Sequence, residues 1–182
     1  MKKMWFVLGG ARSGKSTFAL NLAKKNAGKV LFVATATPSD EFMEERIRRH
    51  RQERPVDWTT LEVTRDVGKA IKSLPQKYDV IIIDCLTVLA GSRIIELPEN
   101  VGETQAWEAL RPEVEGIIDA WENLESTFII VGNEVGLGVV PATNIGCTYR
   151  DALGRANCEL ARNATDVVVM VAGLPMILKH SN

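Results

Sequence analysis

The sequence predicts an α/β fold in which a mostly parallel sheet carries helices on both of its faces. Five apolar runs are typical of strands: residues 4–8, 29–34, 78–84, 127–131 and 166–172. These runs are almost continuously hydrophobic, as parallel strands buried on both faces are. Five segments between or beside them have helical patterns: residues 16–26, 40–54, 66–74, 104–124 and 150–164. This order of strands and helices favours a parallel sheet covered on two sides.

Three further features complete the predicted fold. Residues 57–62 could add a short strand, and residues 176–179 predict a last, antiparallel strand at the C-terminal edge of the sheet. Pro112 is expected to split or restart the helix at 104–124, because proline removes a helical hydrogen bond. With 182 residues, 46% of them hydrophobic, the chain is long enough to form one domain, residues 1–182, around a single core.

Composition excludes several broad classes of protein. The net charge of −1 argues against a general binder of nucleic acid, so any basic cluster is a local feature. Cys85, Cys147 and Cys158 form no C-x-x-C pair and are expected to be free thiols in a reducing, cytoplasmic compartment. No apolar run approaches the roughly 20 residues of a membrane span.

The first predicted strand leads directly into "GGARSGKS", residues 9–16, which matches the P-loop pattern in full. The loop consists of Gly9, Gly10, Ala11, Arg12, Ser13, Gly14, Lys15 and Ser16. Its backbone N–H groups and the following helix start are suited to phosphate oxygens. Lys15 is placed to neutralise the β- and γ-phosphates, and the Ser16 hydroxyl to ligate Mg²⁺. A chance match at a glycine-rich turn is the alternative, but the flanking strand and helix favour a P-loop NTPase-type three-layer fold.

Two other predicted strands end in polar residues. Asp84 ends the run "VIIID" and could complete the magnesium site, or simply begin the next turn. Asn133 and Glu134 follow the run at 127–131 and open the loop "GNEVGLGVVP". Ligands of open α/β sheets bind at this carboxyl edge, so the loop is predicted to face substrate; a plain glycine turn is an equal alternative.

Three functional classes remain open for a P-loop protein of this size. A switch GTPase should carry an [NT]-K-x-D motif, which is absent from the sequence. A motor acting on nucleic acid would need a longer chain and more than one basic helix. A small-molecule phosphotransferase is therefore the favoured class.

His50 lies inside a basic run, "RIRRHRQER", that spans residues 46–54. On a helix, Met43, Ile47 and His50 would share one face, so the imidazole would point with the apolar side. Taken alone, this spacing favours a histidine satisfied at the boundary of the core over a reactive one. Spacing alone leaves its role open. His180, near the C-terminal end, is expected to be frayed surface.

The motifs together resemble those of the bifunctional adenosylcobinamide kinase/adenosylcobinamide-phosphate guanylyltransferases. They are "GGARSGKS", "VATAT", "RIRRHRQERP-x-x-W-x-T-x-E", "DCLT", "NEVGLGVVP" and "YRDALGRANCELA". The similarity runs from residue 5 to residue 179 in family order and is weakest at 88–106. The last two of these motifs are far more specific than the P-loop.

The resemblance implies two reactions in one protein. ATP or GTP first phosphorylates the aminopropanol hydroxyl of adenosylcobinamide, and GTP then donates GMP to that phosphate through a GMP–histidine intermediate. The family's histidine corresponds to His50, and Lys15 of the P-loop is the second catalytic group. The nucleotide contacts correspond to residues 9–16 and to Thr35, Ala36, Thr37, Arg51, Gln52, Glu53, Arg54, Glu62 and Asp84, and the Mg²⁺ ligands to Ser16 and Asp84. The resemblance also implies a homotrimer.

The chemistry of a histidine among arginines fits such a role. A neutral imidazole is a competent nucleophile toward phosphorus. Neighbouring guanidinium groups disfavour the protonated ring, which lowers the histidine pKa, and they can also stabilise charge on the α-phosphate. A small-molecule kinase without guanylyl transfer and a non-catalytic NTP-binding regulator are the alternatives.

Overall fold

The computed structural model describes residues 2–26, 28–36, 44–45, 48, 51–52 and 54–181. Within them, seven strands form one sheet: β1 Met4–Gly9, β2 Val30–Ala34, β3 Thr59–Glu62, β4 Val80–Asp84, β5 Thr127–Val131, β6 Asp166–Val171 and β7 Leu174–His180. Their order across the sheet is β3-β2-β4-β5-β1-β6-β7. All neighbours are parallel except β6 and β7. The predicted fold class, with its antiparallel C-terminal edge strand, is confirmed.

The described residues also form five continuous helices: α1 Lys15–Lys25, α2 Val67–Lys72, α3 Leu86–Ile94, α4 Glu103–Asn123 and α5 Asn144–Asn163. None of these helices combines the length and apolarity that a bilayer crossing requires. Of the helix predicted at 40–54, the described residues 44, 45, 48, 51 and 52 are helical. Arg54 is also described and forms a bend after these helical positions, so the predicted helix ends before it. The remaining positions of the segment, His50 among them, lie outside the described residues.

Both faces of the sheet are buried, which accounts for the continuous hydrophobic runs. In β4, Ile82 packs with the α1 side chains Ala19 and Leu20. Its neighbours Ile81 and Ile83 point to the opposite face, into the cluster that α2, α3, α4 and α5 cover. Alternate residues of one strand thus belong to different layers, so every position is apolar.

Several local predictions were wrong or incomplete. Pro112 lies inside an unbroken α4. It is exposed, and the fully buried Leu110 and Val114 on either side hold the helix against the sheet. Helix α5 begins before the predicted residue 150, because the Thr143 hydroxyl caps it by accepting a hydrogen bond from Gly146 N at 3.2 Å.

Helix α3 was not predicted at all. Its buried residues Leu86, Leu89, Ala90 and Ile94 follow a helical spacing. His180 is not frayed: it belongs to β7, and its Nδ1 lies 2.5 Å from Oδ1 of the fully buried Asp166. That contact fixes the C-terminal end of β7 to the start of β6.

Register brings four strand ends to one edge of the sheet. Ala34 of β2 pairs with Asp84 of β4, and Asp84 pairs with Val131 of β5. Strand β1 pairs with β5 up to Val7 and runs on to Gly9. The segments that follow these strands, including the predicted phosphate loop, therefore meet at the carboxyl edge.

Candidate functional site

The loop between β1 and α1 has the backbone that its glycines allow. Gly9 and Gly14 have φ values of +149° and +94°. A Cβ at Gly9 would lie 2.5 Å from Met170 O, and one at Gly14 would lie 3.3 Å from Gly173 Cα. The loop thus packs directly on the adjoining β6–β7 hairpin, and a side chain at either glycine would be strained.

Lys15 is folded over this loop. Its side chain is buried with Ser13, and its Nζ donates hydrogen bonds to Gly10 O and to Ser13 Oγ, the latter at 3.4 Å. Ala11 and Arg12 are exposed, and Arg12 adopts a left-handed backbone with φ 56°. The loop therefore combines exposed residues with a buried positive charge, and such a loop is suited to binding phosphate.

The phosphate loop is held from both sides. Gly173 N donates to Ser13 O at 3.1 Å from the β6–β7 turn. Glu134 N donates to Gly9 O at 3.1 Å from the loop after β5. Both contacts involve backbone atoms, so they fix the shape of the loop whatever side chains surround it. Rigidity of this kind lowers the cost of binding an anion.

Asp84 lies half-buried at the end of β4, beside the end of β2. Thr35 is fully buried and fastens the two strand ends: its N donates to Asp84 O at 3.2 Å, and its hydroxyl lies 2.8 Å from both N and O of Cys85. The Thr35 hydroxyl therefore fastens the segment after β2 to the segment after β4. Burial, with the Asp84 charge, raises the pKa of the Cys85 thiol to about 11, so that thiol stays neutral.

Ser16 and Asp84 supply oxygen donors suited to Mg²⁺. Ser16 is half-buried in the first turn of α1, and Asp84 carries a carboxylate at the same edge of the sheet. The described residues contain no group of three or more His, Cys, Asp or Glu side chains that could hold a metal. The set fits an ion that takes few protein ligands and completes its shell with nucleotide and water oxygens.

Two arginines of the basic run reach the same edge. Arg51 forms an ion pair with Glu62 at the end of β3. The Arg54 guanidinium stacks on the Phe32 ring, with Cζ 3.6 Å from the ring centroid. Burial lowers the pKa of Arg54 and the Asp84 charge opposes that shift, which places Arg54 within the field of Asp84.

Not every predicted site residue can be placed. Ala36 is half-buried just after β2, and Gln52 is exposed in the helical stretch beside Arg51. Thr37, Glu53 and His50 lie outside the described residues. Nε of Arg54 is buried and has no hydrogen-bond partner within the part of the chain that is described, so this cation retains donor capacity.

A groove of about 520 Å³ opens where the loop after β5 faces α5. The loop is pinned by Asn133, whose N donates to Thr87 Oγ1 at 2.6 Å and whose carbonyl accepts from Asn157 Nδ2 at 3.2 Å. Sequence reasoning missed Thr87 and Asn157 as parts of this edge. Thr87 lies in the motif "DCLT" and Asn157 in the motif "YRDALGRANCELA". These two motifs could have indicated that both residues contribute to the site.

Comparisons with known proteins agree on one family. The family model described as cobinamide kinase / cobinamide phosphate guanyltransferase matches residues 5–178. The chain is 32% identical over 181 residues to the bifunctional adenosylcobalamin biosynthesis protein CobU of Escherichia coli, covering 97% of this chain and 99% of that protein. It is 36% identical over 174 residues to the bifunctional adenosylcobalamin biosynthesis protein CobP of Pseudomonas aeruginosa, covering 95% of each chain.

A third relative has the same printed function. The chain is 33% identical over 181 residues to the bifunctional adenosylcobalamin biosynthesis protein CobU of Salmonella typhimurium, with 97% of this chain and 99% of that protein covered. The matched range includes the phosphate loop, the basic run, Asp84 and the groove helix α5.

Proposed function

The chain belongs to the cobinamide kinase / cobinamide phosphate guanyltransferase family, and we propose that it performs both reactions through one phosphate site. The observation that carries the proposal is the P-loop with Lys15 buried in it, inside a family match over nearly the whole chain. One domain, residues 1–182, would hold both activities.

In the kinase step, the aminopropanol hydroxyl of adenosylcobinamide attacks the γ-phosphorus of ATP or GTP. The new P–O bond forms as the bond to the nucleoside diphosphate breaks, and the hydroxyl proton is lost. The loop backbone and Lys15 orient the β- and γ-phosphates and offset their developing charge. Mg²⁺, which Ser16 and Asp84 would hold, supplies further charge neutralisation when bound.

In the guanylyl step, a neutral nitrogen of His50 attacks the α-phosphorus of GTP and pyrophosphate leaves. A phosphate oxygen of adenosylcobinamide phosphate then attacks the same phosphorus, the N–P bond breaks, and adenosylcobinamide-GDP is released. Arg51 and Arg54 follow His50 in sequence and lie at the edge that also holds Asp84. Their guanidinium groups are suited to stabilising the departing charge.

The test is transfer of label from GTP labelled at the α-phosphate to the protein. The wild type should acquire an acid-labile, base-stable adduct, as a phosphoramidate is, and His50→Asn should not. His180→Asn is the matched control, because it alters the other histidine, and it should label normally. His50→Asn should still phosphorylate adenosylcobinamide, since that step has no use for a histidine nucleophile.

Each alternative function has its own outcome. A kinase without guanylyl transfer would phosphorylate adenosylcobinamide and leave the wild type unlabelled. A non-catalytic NTP-binding regulator would neither phosphorylate adenosylcobinamide nor acquire label. Label retained in His50→Asn, or equal loss of kinase activity in that variant, would make the histidine structural.

We also propose that the protein is a cytoplasmic homotrimer that uses β7 as an interface. Leu174, Met176, Ile177 and Leu178 of this strand are 53–71% exposed. An edge strand with unpaired backbone groups and exposed apolar side chains is a natural site of association. Free thiols at Cys85, Cys147 and Cys158 support a reducing compartment.

A further inference from the structure

The groove beside α5 adjoins the phosphate loop without belonging to it. Glu134, which lines the groove, donates its backbone N–H to Gly9 O at the start of that loop. A molecule in the groove would therefore lie next to the phosphates of a bound nucleotide. We propose that this groove binds the acceptor, a corrinoid, by its amide-bearing edge, and so directs its aminopropanol arm to the transferred phosphate.

Asn157 gives the groove an acceptor that is ready for a ligand. Its side chain is only 5% exposed, and its Nδ2 is fixed by the bond to Asn133 O. Its Oδ1 is buried and accepts no hydrogen bond within the described part of the chain. Buried polar atoms are normally satisfied, and this one lies in the groove lining, where a ligand N–H could reach it.

The charges of the groove select a class of ligand. Three carboxylates line it, from Glu103, Glu134 and Asp151, against the two guanidinium groups of Arg150 and Arg155. Both arginines are paired within the lining, Arg150 with Asp151 at 3.0 Å and Arg155 with Glu103 at 3.3 Å. The groove thus has no excess of positive charge for a second nucleotide. It suits a neutral or cationic molecule that donates and accepts hydrogen bonds.

Beyond the groove lining, the loop after β5 carries exposed apolar side chains. The loop that supplies Glu134 continues into Leu137, Val139 and Val140, which are 91%, 94% and 64% exposed. Apolar side chains exposed in a row beside a polar groove mark a contact surface. Cobinamide matches both the polar groove and the apolar loop, because its primary amides surround an apolar macrocycle that carries a cobalt cation. A volume of about 520 Å³ would hold one edge of the ring and its arm.

Gly154 allows the groove to be filled without disturbing the fold. It lies in α5, lines the groove, and a Cβ built on it meets no atom within 4 Å. Gly154→Phe should obstruct the ligand, and Gly154→Ala should leave the space largely open. Gly116 in α4 also has an unobstructed Cβ and lies outside the groove lining, so Gly116→Phe is the matched control.

The inference rests on the proposed function, and equilibrium dialysis against cobinamide, followed by its visible absorbance, tests it separately from catalysis. With a non-hydrolysable GTP analogue present, Gly154→Phe should bind cobinamide more weakly by on the order of tenfold or more. Gly154→Ala and Gly116→Phe should stay within about twofold of wild type. The affinity for the GTP analogue should be unchanged in all three variants. Their unfolding temperatures should not fall below that of wild type, because glycine has a lower helix propensity than the residues that replace it.

Two results would overturn the groove assignment alone. The first is that Gly154→Phe binds cobinamide as tightly as the wild type does. The second is that Gly154→Phe loses affinity for the GTP analogue as much as for cobinamide, which would make the groove part of the nucleotide site. In either case the wild type would still phosphorylate cobinamide and the proposed function would stand. A wild type that neither binds nor phosphorylates cobinamide would remove both.

Discussion

Replacing Lys15 by alanine should abolish phosphoryl transfer and guanylyl transfer together. The side chain is 7% exposed and lies inside the loop that is proposed to hold the nucleotide phosphates in both reactions. Loss of a charge that stabilises the transition state costs about 3 kcal/mol or more. That free energy corresponds to a fall of about 150-fold in each rate.

The same substitution removes internal hydrogen bonds of the loop. Lys15 Nζ donates to Gly10 O and Ser13 Oγ, so Lys15→Ala should also lower the free energy of unfolding by about 1 kcal/mol. Lys24→Ala is the matched control, because Lys24 is exposed in the last turn of the same helix. It should change neither rate.

The assays are steady-state phosphorylation of adenosylcobinamide and transfer of label from α-labelled GTP, with urea unfolding in parallel. Loss of both activities with a folded protein is the expected result. Guanylyl transfer retained in Lys15→Ala, beside a lost kinase step, would mean that the two reactions use separate nucleotide sites. The single-site reasoning would then be refuted.

Three further predictions address the metal, the fold and the assembly. Asp84→Asn should weaken the Mg²⁺ dependence together with the rate, since a carboxylate binds a hard cation better than an amide; an unchanged Mg²⁺ titration would remove Asp84 from the site. Glu113→Ala should lower the free energy of unfolding, measured in urea, by about 3 kcal/mol. The reason is that the buried Glu113 carboxylate accepts hydrogen bonds from Asp66 N at 2.8 Å and Val67 N at 3.1 Å. Glu115 is exposed on the same helix, so Glu115→Ala should leave the free energy of unfolding unchanged. Ile177→Glu should convert the proposed trimer to smaller species in a sedimentation experiment. Val56 is also exposed, so Val56→Glu is the control and should leave the assembly intact. An unaltered sedimentation coefficient for Ile177→Glu would exclude β7 as the interface.

The strands were predictable from the sequence because burial on both faces makes every position apolar. Ile81, Ile82 and Ile83 illustrate this, since each is almost fully buried although they alternate between two layers. The edge strand β3 shows the limit, because its four residues are largely exposed and carry only a weak pattern. Helix boundaries were less predictable, because tertiary packing decides them. Pro112 is tolerated within α4 for that reason.

The candidate site was predictable only where chemistry is local in sequence. The P-loop places its glycines, Lys15 and Ser16 within eight residues, so pattern and context identified them. Glu113 is different, because it satisfies the backbone of Asp66 and Val67, more than 40 residues away. Asn157 likewise acts through Asn133, a partner 24 positions distant. Contacts of this kind produce no periodic pattern in the sequence, so the sequence does not predict them.

Thr87 explains why three separate motifs belong to one edge of the sheet. Its hydroxyl accepts from Asn133 N at 2.6 Å, and its carbonyl accepts from the Tyr149 hydroxyl at 3.1 Å. Burial, followed by the nearby Cys85, raises the pKa of Tyr149 to about 12, so the phenol remains a donor at any physiological pH. The segment after Asp84, the loop after β5 and helix α5 are therefore tied at one residue. A shift of the Asp84 strand end on nucleotide binding would move Thr87, and through Asn133 and α5 it would reach the proposed corrinoid groove.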